Sequence, residues 1–205
     1  ADVTYSDSNK CSTAQMIFEF IENLGDLGKI NKDIGACIYT GIVTDTGSFR
    51  FSSVDEKTHE IAGFLIRNGL KQHLVHEAIF NQNSLDRVKL RGYLLSEKLA
   101  HFPELKSTII SLTEEESKRF NVQSGDTEGL VNTALSIKGT EVAVFFREDK
   151  GKIKISLRSI GNTKVNELSG SYFSGGGHKN AAGGISELSM EETINLFKSV
   201  VHEIL

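Results

Sequence analysis

Two cysteines, one proline and no tryptophan in 205 residues set the first limits on what this sequence encodes. Cys11 and Cys37 have no CxxC spacing and no third or fourth partner, which excludes a zinc set or a disulfide framework and agrees with a reducing cytoplasm. No apolar run approaches the roughly 20 residues of a membrane span, and nothing resembles a signal peptide, so no membrane partner is expected. Positive charge is scarce as well: 23 Lys and Arg stand against 27 Asp and Glu, a net charge of −4. Proteins that coat long duplex DNA usually carry a basic excess, so long duplex DNA is not an expected partner. The aromatic residues form no track on which a long single strand would stack. A ligand with few phosphates, held in a local pocket, remains compatible with this charge.

Glycine, by contrast, is abundant and clustered. The stretch Gly175-Gly176-Gly177-His178-Lys179-Asn180-Ala181-Ala182-Gly183-Gly184 is the least ordinary in the chain. A glycine run lets consecutive backbone N–H groups curl around an anion at contact distance, and phosphate is the natural guest. His178 can donate to a phosphate oxygen, and Ala181 and Ala182 are too small to block the entrance. The competing reading is a flexible surface loop with an incidental histidine.

Residues 2–5 are expected to form a short strand. Ser12 to Gln15 resembles a capping box for a helix with Met16, Ile17, Phe20, Ile21 and Leu24 on one face. Asn31 can cap a second helix with Ile34, Ile38 and Ile42 on the face that Cys37 and Gly41 complete; a buried strand from Ala36 to Val43 is the alternative. Either element delivers Thr44-Asp45-Thr46-Gly47-Ser48-Phe49 at its carboxyl end. Helices are expected after Asp55 or Ser53 and around Leu74 to Ile79, then a long amphipathic one from Leu85 to His101, ending before Pro103. Lys106 to Leu112 reads as a strand, Thr113 to Phe120 and Thr127 to Ile137 as helices. Glu141 to Arg147 and Lys152 to Arg158 read as a hairpin around Glu148-Asp149-Lys150-Gly151. Its second strand alternates Ile153, Ile155 and Leu157 with Lys152, Lys154, Ser156 and Arg158, which puts a cationic row on one face. Met190 to Leu205 closes the chain as a helix. The first hundred residues supply amphipathic helices with almost no strand to pack on.

Asp45 lies at the end of an apolar element, where a carboxylate can either ligate a divalent metal or close a turn. Arg158 can present its guanidinium fork to phosphate or stand solvated at a strand edge. His59, His73, His76 and His101 lack a third metal ligand and read as structural. The run Glu114 to Glu116 complements a helix start and reads as a solvated face.

Thr40 to Phe51, then Ser156-Leu157-Arg158-Ser159, then Gly175 to Gly183 together resemble the DHH phosphoesterases that carry a DHH-associated C-terminal domain. Ser12-Thr13-Ala14, Thr58-His59 and Glu128-Gly129-Leu130-Val131-Asn132 add weaker support, and the nanoRNase and pAp-phosphatase branch is the most similar. The resemblance implies an α/β protein: residues 1–84 as the C-terminal, mostly helical part of a parallel-sheet DHH domain, 85–103 as a linker helix, and 104–205 as a smaller substrate-binding domain with a mixed sheet. It implies two manganese ions with Asp45 as a catalytic metal ligand, and Arg158, Ser159, Gly176, Gly177 and His178 against substrate phosphate. The implied activity is hydrolysis of short oligoribonucleotides and of the pAp 3′-phosphate in the cytoplasm, in a homodimer. A cyclic-dinucleotide phosphodiesterase, a single-strand exonuclease and a catalytically incompetent nucleotide-binding fragment are the alternatives. The sequence contains no Asp-His-His triplet, so the family's remaining metal ligands are expected upstream of Ala1.

Overall fold

The computed structural model describes residues 4–7 and 9–205, and the strand expected over residues 2–5 lies partly outside them; Thr4 and Tyr5 are not in a strand. The chain divides into two units, Ala1–Gln82 and Asn83–Leu205.

Among the first unit's described residues the regular elements are all helices. Ser12 caps α1 (Thr13–Asn23) by accepting from the Gln15 amide at 3.1 Å. Asn31 caps α2 (Lys32–Asp45) by accepting from the Asp33 and Ile34 amides at 3.1 and 2.9 Å, and the helix prevails over the alternative strand. Asp55 opens α3 (Glu56–Arg67) in a reciprocal capping box with Thr58, and α4 (Gln72–Phe80) follows. Phe18, Ile38, Ile42, Val43, Ile61 and Leu65 form the core. At Gly41 the first two helices touch: an added Cβ would lie 2.6 Å from Ala14 Cβ.

The buried face of α1 differs from expectation. It carries Gln15, Phe18 and Glu19, while Ile17, Phe20 and Leu24 remain 50%, 51% and 61% exposed. The cause is a satisfied polar chain. Cys11 Sγ and Thr58 Oγ1 donate to Gln15 Oε1 at 2.8 and 2.9 Å, and Gln15 Nε2 donates to Glu19 Oε1 at 3.0 Å. Counting apolar spacing alone misses a face whose buried members are hydrogen-bonded polar groups. Cys37, expected on the packed face of α2, is exposed.

The second unit opens with α5 (Leu85–Glu97), which ends earlier than expected because Leu99–Phe102 turns into an edge strand, β1. This helix contributes to the second unit's core: Leu90 and Leu94 are wholly buried against Ile110, Leu112 and Phe145. Next come β2 (Ser107–Leu112), α6 (Glu114–Arg119) and α7 (Leu130–Leu135). Helix α7 is shorter than expected because Gly129, at φ 73, sits in a left-handed conformation at its start. The hairpin β3 (Val142–Asp149) and β4 (Lys152–Ser159) turns through Lys150 and Gly151, at φ 53 and 76. Both residues are left-handed, as a tight hairpin turn requires. The chain continues through α8 (Val165–Tyr172), β5 (Gly176–His178), β6 (Ala181–Ser186) and α9 (Met190–Val200). The final helix tightens at Val201–Ile204 into a 3-10 turn.

The strands make one mixed sheet in the order β1-β2-β3-β4-β6-β5, with only β2 and β3 parallel. One face packs Val144, Phe146, Ile155 and Leu157 against Val165 and Leu168 from α8, Phe173 just after it and Phe197 from α9. On the opposite face α5 and α7 cover the β2–β3 half. Its other half, on β4, β6 and β5, is roofed by no helix of this unit: Lys154, Gly183, Ile185, Gly176 and His178 are exposed there. Among the described residues no helix is long and apolar enough to cross a membrane.

Candidate functional site

The open half-face carries the expected cationic row. Arg158 pairs with Ala181, and Ala181 pairs in turn with His178, so the three form one line across β4, β6 and β5. Directly opposed residues present side chains to the same face, and two strand spacings separate Arg158 from His178 by about 10 Å. Twenty positions apart in sequence, they face one side. The His178 ring is exposed and has no hydrogen-bond partner among the described residues.

The glycine stretch forms two strands rather than a loop, with β5 at the sheet edge and β6 between β5 and β4. In a strand, successive N–H groups alternate between the partner and the open edge, so they do not converge on one anion as expected from the sequence. Close packing explains most of the glycines. A Cβ on Gly175 would lie 2.1 Å from the Gly183 carbonyl oxygen, and one on Gly184 would lie 2.7 Å from that of Phe173. Gly177, at φ 141, would bring a Cβ within 2.5 Å of the Ala181 carbonyl oxygen. Gly176 is different: a Cβ there meets nothing within 4 Å, so its missing side chain keeps the open face flat.

Ser159, expected beside Arg158 at the ligand, faces the other way. It is 6% exposed; its hydroxyl donates to the Thr163 carbonyl at 2.6 Å and accepts from Asn180 Nδ2 at 2.9 Å. Asn180 lies in the turn between β5 and β6, and its backbone carbonyl accepts from the Ser159 amide at 3.1 Å. Ser159 thus fastens the glycine hairpin to the end of β4.

Beside Arg158 lies a depression of about 210 Å³, walled by Arg147, Lys154, Ser156 and Arg158 from the sheet and by Thr127, Glu128, Gly129 and Asn132 at the start of α7. Arg158 uses one donor, Nη1 to the Leu157 carbonyl at 2.9 Å. Lys154 is paired with Asp149, whose carboxyl this hydrogen bond holds below the ordinary range. Arg147 has no side-chain hydrogen bond or ion pair among the described residues. Sequence reasoning passed over Arg147, although the hairpin register that opposes it to Lys154 follows from the turn at Lys150 and Gly151.

Asp45 is the exposed last residue of α2. The loop after it is strained: Gly47, Ser48 and Phe49 follow one another at φ 56, 61 and 62. A non-glycine residue in such a conformation costs about 1–3 kcal/mol, so the surroundings must impose it. Thr46 does so by donating its hydroxyl to the Ile42 carbonyl at 2.6 Å and accepting from the Phe49 amide at 2.9 Å. Ser48 donates its amide to the Val43 carbonyl at 2.8 Å. No three His, Cys, Asp or Glu converge among the described residues. Asp45 is thus a single exposed carboxylate with no cluster of further ligands around it among the described residues.

Three of the remaining polar candidates, His59, His76 and Glu116, have structural partners. His59 stacks on Phe49 with centroids 5.3 Å apart, and His76 Nε2 lies 3.3 Å from Tyr39 Oη. Glu116, expected on a solvated face, is instead held by Lys98 at 2.8 Å, by the Tyr93 hydroxyl at 2.6 Å and by the Thr113 amide at 2.8 Å.

Residues 106–205 match the DHHA1 domain. The bifunctional oligoribonuclease and PAP phosphatase NrnA of Bacillus subtilis is 30% identical over 89% of this chain and 57% of that protein. The protein of the same name from Thermus thermophilus is 32% identical over 86% of this chain and 52% of its own length. Among solved structures, an exopolyphosphatase-related protein from Bacteroides fragilis superposes with a TM-score of 0.94 at 38% identity, over 98% of this chain and 59% of that one. The chain thus spans little more than half of each relative. The Arg158–Ala181–His178 row lies inside the matched residues, so the second unit carries a DHHA1 domain, and the chain is similar over most of its length to these relatives.

Proposed function

We propose that this chain holds the phosphates of short oligoribonucleotides and of pAp for a phosphoesterase that hydrolyses them. The observation that carries this reading is the unroofed half-face on which Lys154, Arg158 and His178 stand around small residues, with Arg147 of β3 at its border in the same depression and with Arg147 and most of the Arg158 donors unspent. Guanidinium forks match phosphate oxygens in geometry and charge. The overall charge of −4 confines attraction to this patch, which suits a ligand of few phosphates better than a long strand. Gly176 and Gly177 supply a floor without side chains, and Ser159 holds the hairpin in register.

Asp45 is proposed as one ligand of a manganese site, which when loaded would activate water for attack on phosphorus. A single carboxylate leaves such an ion mostly hydrated. Manganese titrated into the 205-residue chain is therefore expected to bind weakly, and micromolar or tighter binding would contradict this assignment.

Titration calorimetry with pAp tests the phosphate reading. A hydrogen bond to a charged group is worth about 1.5–3 kcal/mol, so Arg158→Ala should weaken binding about ten- to a hundredfold. Unchanged affinity in that variant would sink the reading.

A further inference from the structure

The depression beside Arg158 contains one group that phosphate binding does not explain. Glu128 lines the same depression as Arg147, Lys154 and Arg158, and its negative charge disfavours a phosphate there. Its main chain is pinned: the amide donates to the Gly125 carbonyl at 3.0 Å, and the carbonyl accepts from Arg91 Nη1 at 2.8 Å. The carboxylate itself has no hydrogen-bond or ion-pair partner among the described residues, although three cations line the same depression. An acceptor with no internal partner, carried on a pinned main chain at this depression, is suited to a donor on the ligand.

Size and lining identify that donor. At about 210 Å³ the depression is smaller than the pockets of about 300–1,000 Å³ that enclose drug-sized ligands, so it suits a sugar and its phosphate rather than a whole nucleotide. Its aromatic member, Phe145, is only 5% exposed and offers no face for a base. On a ribonucleotide, the hydroxyl next to the 3′-phosphate is the 2′-hydroxyl. Carboxylates accept from ribose hydroxyls in other nucleotide sites, and the 2′-hydroxyl is what separates RNA from DNA.

We infer that Glu128 accepts a hydrogen bond from the ribose 2′-hydroxyl and so makes this site selective for ribonucleotides over deoxyribonucleotides. The inference rests on the phosphate-holding reading above. A carboxylate also disfavours a ligand that brings phosphate but no hydroxyl, which widens the discrimination.

The test is to titrate the 205-residue chain with the 5′-phosphorylated diadenylate and with its all-deoxy counterpart. The unaltered chain should bind the ribonucleotide about tenfold or more tightly. Glu128→Ala should bring the ratio close to one, by weakening the ribonucleotide while the deoxynucleotide binds as well as before or better. Glu128→Gln, which keeps an acceptor oxygen without the charge, should retain part of the preference. Arg158→Ala should weaken both ligands and leave their ratio unchanged. If Glu128→Ala lowers both affinities equally, or leaves the ratio as it was, the inference is overturned and the phosphate reading survives. If the unaltered chain binds neither ligand, both fall together.

Discussion

Adjacent residues on one strand face opposite ways, and this decides how Arg158 and Ser159 divide their work. Arg158 turns to the open half-face; Ser159 is buried beneath the glycine hairpin. His178, exposed and without an internal partner, stands in line with Arg158. Two variants should therefore behave in opposite ways. His178→Ala is expected to weaken pAp binding about tenfold with little change in melting temperature, because it removes one contact to phosphate and no packing. Ser159→Ala strips a partner from the buried Thr163 carbonyl and from Asn180, a loss of about 1–3 kcal/mol of stability. Calorimetric binding and thermal unfolding of the same preparations separate the two. A large stability loss in the histidine variant with binding intact would overturn its assignment. That the Arg158 and Ser159 side chains turn to opposite faces was already legible in their adjacency, once β4 was recognised as a strand.

At the scale of elements, α6 is anchored by a carboxylate that sequence inspection placed in solvent. Burial pushes the Glu116 carboxyl up, but hydrogen bonds from Lys98, the Thr113 amide and Tyr93 outweigh it and hold the pKa at about 2, against an ordinary 4.5. A depressed carboxyl pKa contributes stability that is complete above the unfolded value and disappears as pH falls through the folded one. The contribution, up to about 3 kcal/mol, should thus be intact above pH 4.5 and lost between 4.5 and about 2. Denaturant unfolding of Glu116→Gln across that window should show a flatter decline than the unaltered chain, and parallel curves would contradict the assignment. The Thr113–Glu116 capping box was readable; Tyr93 and Lys98 come from a different helix end and were not. The same contrast runs through the elements. The β3–β4 hairpin was legible because both flanks are rich in β-forming residues and Gly151 suits a left-handed turn position. Strands β5 and β6 were not, because glycine has low strand propensity and only tertiary packing on Phe173 and Ser169 makes their backbones pair. Helix α8 begins without a side-chain cap and includes Gly170, so neither end nor interior announced it.

Each of the two units has its own apolar cluster, with Phe18, Ile42 and Leu65 at the centre of one and Phe146, Leu157 and Phe197 in the other. A unit with its own core can fold by itself. Residues 83–205 expressed alone are therefore expected to unfold cooperatively and to retain pAp affinity within a few-fold of the full chain; a non-cooperative melt would show that the division is only geometric. The strand order also bears on the sequence of events in folding. Strands β3 and β4 are joined by a two-residue turn, and hairpins of this kind form in about 1–10 μs. Strand β2 meets its parallel partner β3 only after the segment holding α6 and α7 has closed between them, which is slow because chain entropy is lost before the pairing compensates. The line from Arg158 to His178 needs β4, β6 and β5 together, and β5 reaches β4 only through β6. Affinity for phosphate should thus appear late on the folding pathway, as a reporter of the finished sheet rather than of the hairpin that begins it.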